Sequence, residues 1–170
     1  YREFLVRNGF CKFYPSSESN FLLAYVEKNI IRHVLDDNIR DFVFDYLHAM
    51  EDKTIYDSYA DKIKLGKEDF LAFLPNINPK FLKDSKYHSY LYFRNCAVLV
   101  TADGIEKISY DDLNGYVWEK QRLDRDFEEV SFTDSEYKQF LTNISGSDPD
   151  RLKTMESTIG YMLHNYNNAS

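Results

Sequence analysis

The hydrophobic period of this chain changes near residue 36, and that change limits its architecture more than any other feature. Through "FLLAYV" (21–26) and "IIRHVL" (30–35) the apolar residues form short runs separated by "EKN", good turn chemistry between two strands. From Asp37 onward, Ile39, Phe42, Val43, Tyr46, Leu47 and Met50 recur at i, i+3, i+4, i+7, i+8 and i+11. That spacing is one stripe of an amphipathic helix. Asp36, Asp37 and Asn38 supply capping side chains and negative charge suited to its N-terminus. Upstream, "EFLVRNGFCKFY" (3–14) has partial alternation and reads as a further strand. A three-stranded antiparallel meander with one face to cover is therefore expected, with helices as the cover.

The same alternation of periods repeats downstream. Residues 54–74 form a second helical region, with Ile55, Tyr59, Ile63, Phe70, Leu71, Phe73 and Leu74 as its apolar set. Gly66 is a candidate break, and Pro75 and Pro79 end the region. "PNINPKFLKDSKYHS" reads as a loop or lobe boundary. "YLYFRNCAVLVT" (90–101) then reads as a strand, "ADG" (102–104) as a tight turn, and "IEKISY" as its returning partner. "GYVWEKQRL" (115–123) is a third strand-like run. Two helical stripes follow, Tyr137, Phe140, Leu141 and Ile144, then Leu152, Met155, Ile159, Met162, Leu163 and Tyr166. In "SGSDPDR" between them, Asp148 is an N-cap and Pro149 a first helical residue. The order strands, helices, strands, helices indicates an α+β fold of small antiparallel sheets covered by amphipathic helices, without βαβ alternation. The expected organisation is an N-terminal lobe over 1–78 and a second over 79–170, with one core or two left open.

Composition narrows the chemistry. At 170 residues the chain is long enough to bury a core unaided. Its six glycines, at 9, 66, 104, 115, 146 and 160, form neither G-x-x-x-x-G-K-[ST] nor G-x-G-x-x-G, so no phosphate loop and no cofactor site is expected in this chain. His33, His48, His88 and His164 lack zinc-helix or finger spacing, which points away from a metal. Cys11 and Cys96 are far apart and read as reduced thiols. Cys96, followed by the apolar "AVLV", reads as a buried and inert thiol rather than a nucleophile. Adjacent carboxylates such as Asp111 and Asp112, or Glu128 and Glu129, read as solvated loop charge. No catalytic residue is therefore assigned. No apolar run approaches 18 residues, so no membrane span is expected and a cytoplasmic location is.

Nucleic-acid contact is the more balanced contest. The formal net charge of −7 is the wrong sign for strong non-specific binding to phosphates. Yet "VWEKQRLDRDF" places Lys120, Arg122 and Arg125 beside Trp118, and Arg94 lies in "YFRNC". Arginines with aromatics stack on bases and pair with phosphates. Glu119, Asp124 and Asp126 interleave with these cations, and a salt-bridged surface explains the same letters. Trp118, Arg94, Lys120, Arg122 and Arg125 are thus candidates for contact with DNA or with a neighbouring subunit. The 14 Tyr and 13 Phe are core and sheet-face residues in one reading and an exposed protein-binding surface in the other.

Three stretches together resemble one family. They are "NGFCKFY" with the following "NIRDFVFDYL", "YFRNCAVLVTADGIEKISYDDLNGYVWEKQRLDRDF", and "RLKTMESTIGYMLHNY". Their order is similar to the segment preceding the ATPase in phage and mobile-element primase-helicases of the Bacteroidetes type, superfamily 3 helicases of the pox-virus and phage-primase kind. In that family a helical "GY-x-L" segment, here Gly160, Tyr161 and Leu163, comes shortly before the strand and phosphate loop of the motor. The resemblance implies that the chain is a piece of a longer protein, with ATP and Mg bound only by a motor beyond Ser170. It implies a non-catalytic accessory domain that joins primase to motor, supports ring assembly of subunits and engages DNA. The alternative is a stand-alone protein-interaction domain of a phage or bacterial protein.

Overall fold

The computed structural model describes residues 1–15, 20–50, 53–60, 71–130 and 135–166. In chain order the described elements are α1 (Arg2–Arg7), β1 (Phe10–Phe13), β2 (Leu22–Glu27), β3 (Ile30–His33), α2 (Asp36–His48), α3 (Lys53–Ala60), β4 (His88–Tyr92), β5 (Ala97–Thr101), β6 (Gly104–Ile108), β7 (Val117–Trp118), α4 (Glu136–Ile144) and α5 (Pro149–Leu163). The fold is α+β, with a four-stranded sheet β1-β2-β3-β7 and a three-stranded sheet β4-β5-β6. The chain divides into two compact units. Unit 1 comprises Tyr1–Phe81 and Leu113–Lys120, and unit 2 comprises Leu82–Asp112 and Gln121–Ser170.

Unit 1 is built on the antiparallel hairpin that "EKN" announces. Glu27 pairs with Ile30, and the two residues between them, Lys28 and Asn29, both have positive φ (49° and 59°). That is a type I′ turn, whose twist matches the flanking strands. Side chains of β2 alternate strictly between two cores. Leu23 and Tyr25 pack with Leu5, Phe10, Val34, Ile39 and Val43 on one face. Leu22, Ala24 and Val26 pack with Cys11, Phe13, Ile31, Ile77 and Trp118 on the other. The sheet therefore has two covered faces, where the sequence suggested one. The second cover comes from outside the meander. Val117 and Trp118 run parallel to β3, and Pro75–Ile77 run beside β1, with Lys12 N donating to Pro75 O and Ile77 N to Lys12 O. The run 115–123 is thus strand only at Val117 and Trp118. A 3-10 turn over Glu119–Gln121 follows.

The start of the chain corrects the strand reading of 3–14. Residues 2–7 are helical, with Leu5 buried and Glu3 paired to Arg7 one turn later. Asn8 and Gly9 end the helix, and β1 begins at Phe10. Gly9 has φ +86°, and a Cβ placed there would lie 2.4 Å from the Val26 carbonyl oxygen. The α2 stripe is as expected at Ile39 and Val43, which are buried, while Tyr46 and Met50 at its margin stay exposed. Asn38, of the three residues expected to cap it, reaches back to accept the Leu35 N–H at 2.9 Å. The second helical region is described over Lys53–Ala60 and again from Leu71; its middle, including Ile63, Gly66 and Phe70, lies outside the described residues.

In unit 2 the run 90–101 is two strands rather than one. The peptide turns at Arg94 and Asn95, closed by Phe93 N donating to Cys96 O at 2.8 Å. Asn95 explains the turn, because its side chain both donates to Phe127 O (3.1 Å) and accepts from Phe127 N (2.8 Å). The "ADG" turn joins β5 to β6 as expected, with Thr101 facing Gly104. Phe93, Cys96 and Val98 form a small core with Leu91, Val100 and Phe127 against it. Ser135 caps α4 by accepting Lys138 N. Asp148 caps α5 by accepting Asp150 N (2.9 Å) and Arg151 N (3.2 Å), and Pro149 opens it, as the sequence indicates.

Candidate interaction surface

The sequence-selected cations divide between the two units. Trp118 and Lys120 belong to unit 1, and Arg94, Arg122 and Arg125 to unit 2. Trp118 is committed to packing. It stacks on Phe81 at 5.0 Å with an interplanar angle of 15° and leans on Phe13 at 5.5 Å. Neighbouring Glu119 reaches Arg32 at 3.8 Å, and Lys120 is exposed.

Arg94, Arg122 and Arg125 gather around the 93–96 turn. Arg94 forms a two-pronged ion pair with Asp126, both nitrogens at 2.9 Å from the carboxylate, and Asp124 stands 3.9 Å from the same guanidinium. The hydrogen bonds from Arg94 hold the Asp126 carboxyl below its ordinary range. Both partners are solvent-exposed, so the pair fixes geometry more than it adds stability. Arg122 covers the Tyr110 ring at 5.5 Å and donates to Arg94 O at 3.4 Å. Arg125 covers Phe93 at 5.6 Å, and its carbonyl accepts from Arg94 N. Burial pushes the Tyr110 phenol up to about 12, with Arg122 acting in the opposite direction, and its hydroxyl donates to Phe93 O. Of the interleaved acids noted in the sequence, Asp124 and Asp126 thus neutralise Arg94 directly, and aromatic rings engage the other two arginines.

A different surface stands out on the helices of unit 2. In the α4 stripe only Leu141 is buried, while Tyr137, Phe140 and Ile144 are exposed, the first two with rings stacked at 6.5 Å. The 15-residue α5 has no buried residue at all. Leu152, Met155 and Ile159 are half-buried, and the last turn is open, with Tyr161 82%, Met162 69% and Leu163 62% exposed. Beside this turn a groove of about 710 Å³ opens between the α5 end, at Gly160 and Leu163, and the β4–β5 hairpin, at Tyr87, Tyr90 and Leu99. Periodicity identified both helices but could not say that their stripes would stay uncovered. The polar loop beside the groove, Asp84 and Ser85, went unnoticed within "PNINPKFLKDSKYHS"; an Asp-Ser pair just ahead of a strand is the turn chemistry that would have marked it.

Groups with reactive potential are placed as follows. Cys11 and Cys96 are buried free thiols. Burial pushes the Cys11 thiol up to about 11, away from the thiolate form, and its Sγ faces Ala24 O at 3.7 Å. Among the described residues no three His, Cys, Asp or Glu side chains are grouped to hold a metal ion, and no helix is long and apolar enough to cross a membrane. His164 ends α5 and contacts Ser85 O at 2.9 Å. No protein-family model, no characterised protein and no solved structure matches this chain.

Proposed function

We propose that this chain acts through contact with neighbouring protein, as the non-catalytic domain preceding the ATPase motor of a phage or mobile-element primase-helicase. One observation carries the contact reading: Tyr137, Phe140 and Ile144 of α4 and the apolar side chains in the last turn of α5 are left open to solvent. Fully burying a residue such as Leu163 or Met162 is worth roughly 1.5–3 kcal/mol, so an open cluster of this kind favours association. The helicase setting rests on the resemblance, which puts Gly160, Tyr161 and Leu163 next to the motor. In that setting the α5 end packs against the adjoining motor or a neighbouring subunit, in a ring that couples primase to motor. ATP and Mg belong to the motor.

DNA engagement is the subordinate part of the proposal. Arg94 is matched by Asp126, which leaves Lys120 and Arg125 as the exposed cations best disposed to meet phosphates. The alternative, a stand-alone protein-interaction domain, draws on the same open helices and differs only in what adjoins them.

The test is substitution of Tyr161→Ser and Met162→Ser together in the complete gene product. Both side chains are exposed, so the fold of the domain is expected to persist by circular dichroism. Subunit assembly, followed by light scattering, and ATP turnover are expected to fall at least tenfold. Assembly and turnover equal to wild type would show that the α5 end is not the contact.

A further inference from the structure

Apolar burial does not hold the end of α5, since none of its residues is buried and its last turn is open. Polar contacts do. His164 leaves helical geometry, at φ −87° and ψ 129°, and the chain there meets the loop ahead of β4. There Asn165 N donates to Asp84 Oδ2 at 2.9 Å. The same carboxylate accepts from Ser89 Oγ at 2.5 Å and Tyr90 N at 2.9 Å, so β4 anchors it. His164 Nε2 meets Ser85 O at 2.9 Å, and Tyr166 N donates to His164 Nδ1 at 3.1 Å. A carbonyl only accepts and a backbone N–H only donates. Nε2 thus lies against a carbonyl and Nδ1 against a backbone N–H, so both ring nitrogens are engaged.

We infer that Asp84, Ser85 and His164 form a releasable clip, which fixes the direction in which the chain leaves α5 and holds the last helical turn as one wall of the groove against β4 and β5. Closed, the clip presents Tyr161, Met162 and Leu163 in one orientation. Open, it frees residues 164–166 and the turn carrying Gly160 and Leu163, and so widens the groove. The clip depends on few bonds at an exposed site, so loss of one bond to a carboxylate shifts its opening equilibrium by about tenfold or more. This inference stands on unit 2 alone and does not depend on which domain adjoins it.

Hydrogen exchange on the whole chain tests it, using two variants. Asp84→Asn weakens the anchor. Asn165→Pro removes the 165 N–H, together with the carboxamide side chain, and does not touch the donors Ser89 Oγ and Tyr90 N; His164 already has the extended backbone required before proline. In both variants the remaining amides of 161–166 are expected to exchange at least tenfold faster, with the first turns of α5 and strand β5 unchanged. Exchange at 161–166 within twofold of wild type in Asn165→Pro overturns the clip. That holds even if Asp84→Asn alone loosens the region, since its effect would then run through β4.

Discussion

At the scale of single residues, two positions are fixed by physics that has no substitute. Gly9 turns the chain from α1 into β1 at φ +86° with the Val26 carbonyl against its Cα face, and Val26 N returns a hydrogen bond to Gly9 O at 2.9 Å. Gly9→Ala meets backbone rather than a movable side chain, so it is expected to destabilise unit 1 by about 1–3 kcal/mol. Urea unfolding monitored at Trp118, which packs in unit 1, reads this as a lower midpoint. The second position is Asp84. Burial alone would raise its carboxyl, but hydrogen bonds from Ser89, Tyr90 N and Asn165 N outweigh it and hold the group below the usual range. A carboxyl lowered by folding stabilises above its unfolded value of about 3.9, and that contribution disappears as pH falls through the folded value. The stability gap between wild type and Asp84→Asn is therefore expected to be full at pH 7 and to close below about pH 4. A gap that persists unchanged at pH 3 would contradict this assignment.

At the scale of elements, the sequence was legible wherever local chemistry decides. The type I′ turn at Lys28 and Asn29, the stripe of α2 at Ile39 and Val43, and the Asp148–Pro149 start of α5 all follow from nearest neighbours. Residues 2–7 were not legible as helix, because six residues span less than two turns and Phe4, Leu5 and Val6 fit either period. The split of 90–101 was hidden for a different reason. Asn95 makes the turn through Phe127, 32 residues away, and no local pattern reports that bond. The role of Val117 and Trp118 beside β3 is likewise a long-range pairing, secured where Val117 N donates to Asn29 O and Asn29 Nδ2 donates to Leu113 O. For α5, which rests on half-buried contacts, the cap matters more than in a core helix. Asp148→Ala is expected to cost about 1 kcal/mol and to lower helicity by circular dichroism. An unchanged spectrum and midpoint would mean that packing alone sets this helix.

At the scale of the whole molecule, the sequence pointed to contact residues through charge, and the structure shifts the weight to apolar surface. Arg94, Arg122 and Trp118 are occupied by Asp126, Tyr110 and Phe81, whereas Tyr137, Phe140, Tyr161 and Met162 are open. Which apolar stripes stay uncovered depends on what packs over them, and periodicity carries no information about that. If DNA also reaches this domain in the complete protein, Lys120→Gln with Arg125→Gln is expected to flatten the salt dependence of single-stranded DNA binding. The log–log slope should fall by about 0.7 for each phosphate that is no longer neutralised. An unchanged slope would remove these two residues from the DNA path and leave protein contact as the whole role.

The measurement that bears most directly on the central claim is the coding sequence that follows Ser170 in the source gene. The account predicts a strand and then G-x-x-x-x-G-K-[ST] within a few dozen residues, which would place the open end of α5 beside an ATPase motor. A reading frame that closes without such a motif would contradict the helicase setting, and the open helices would then belong to a stand-alone interaction domain.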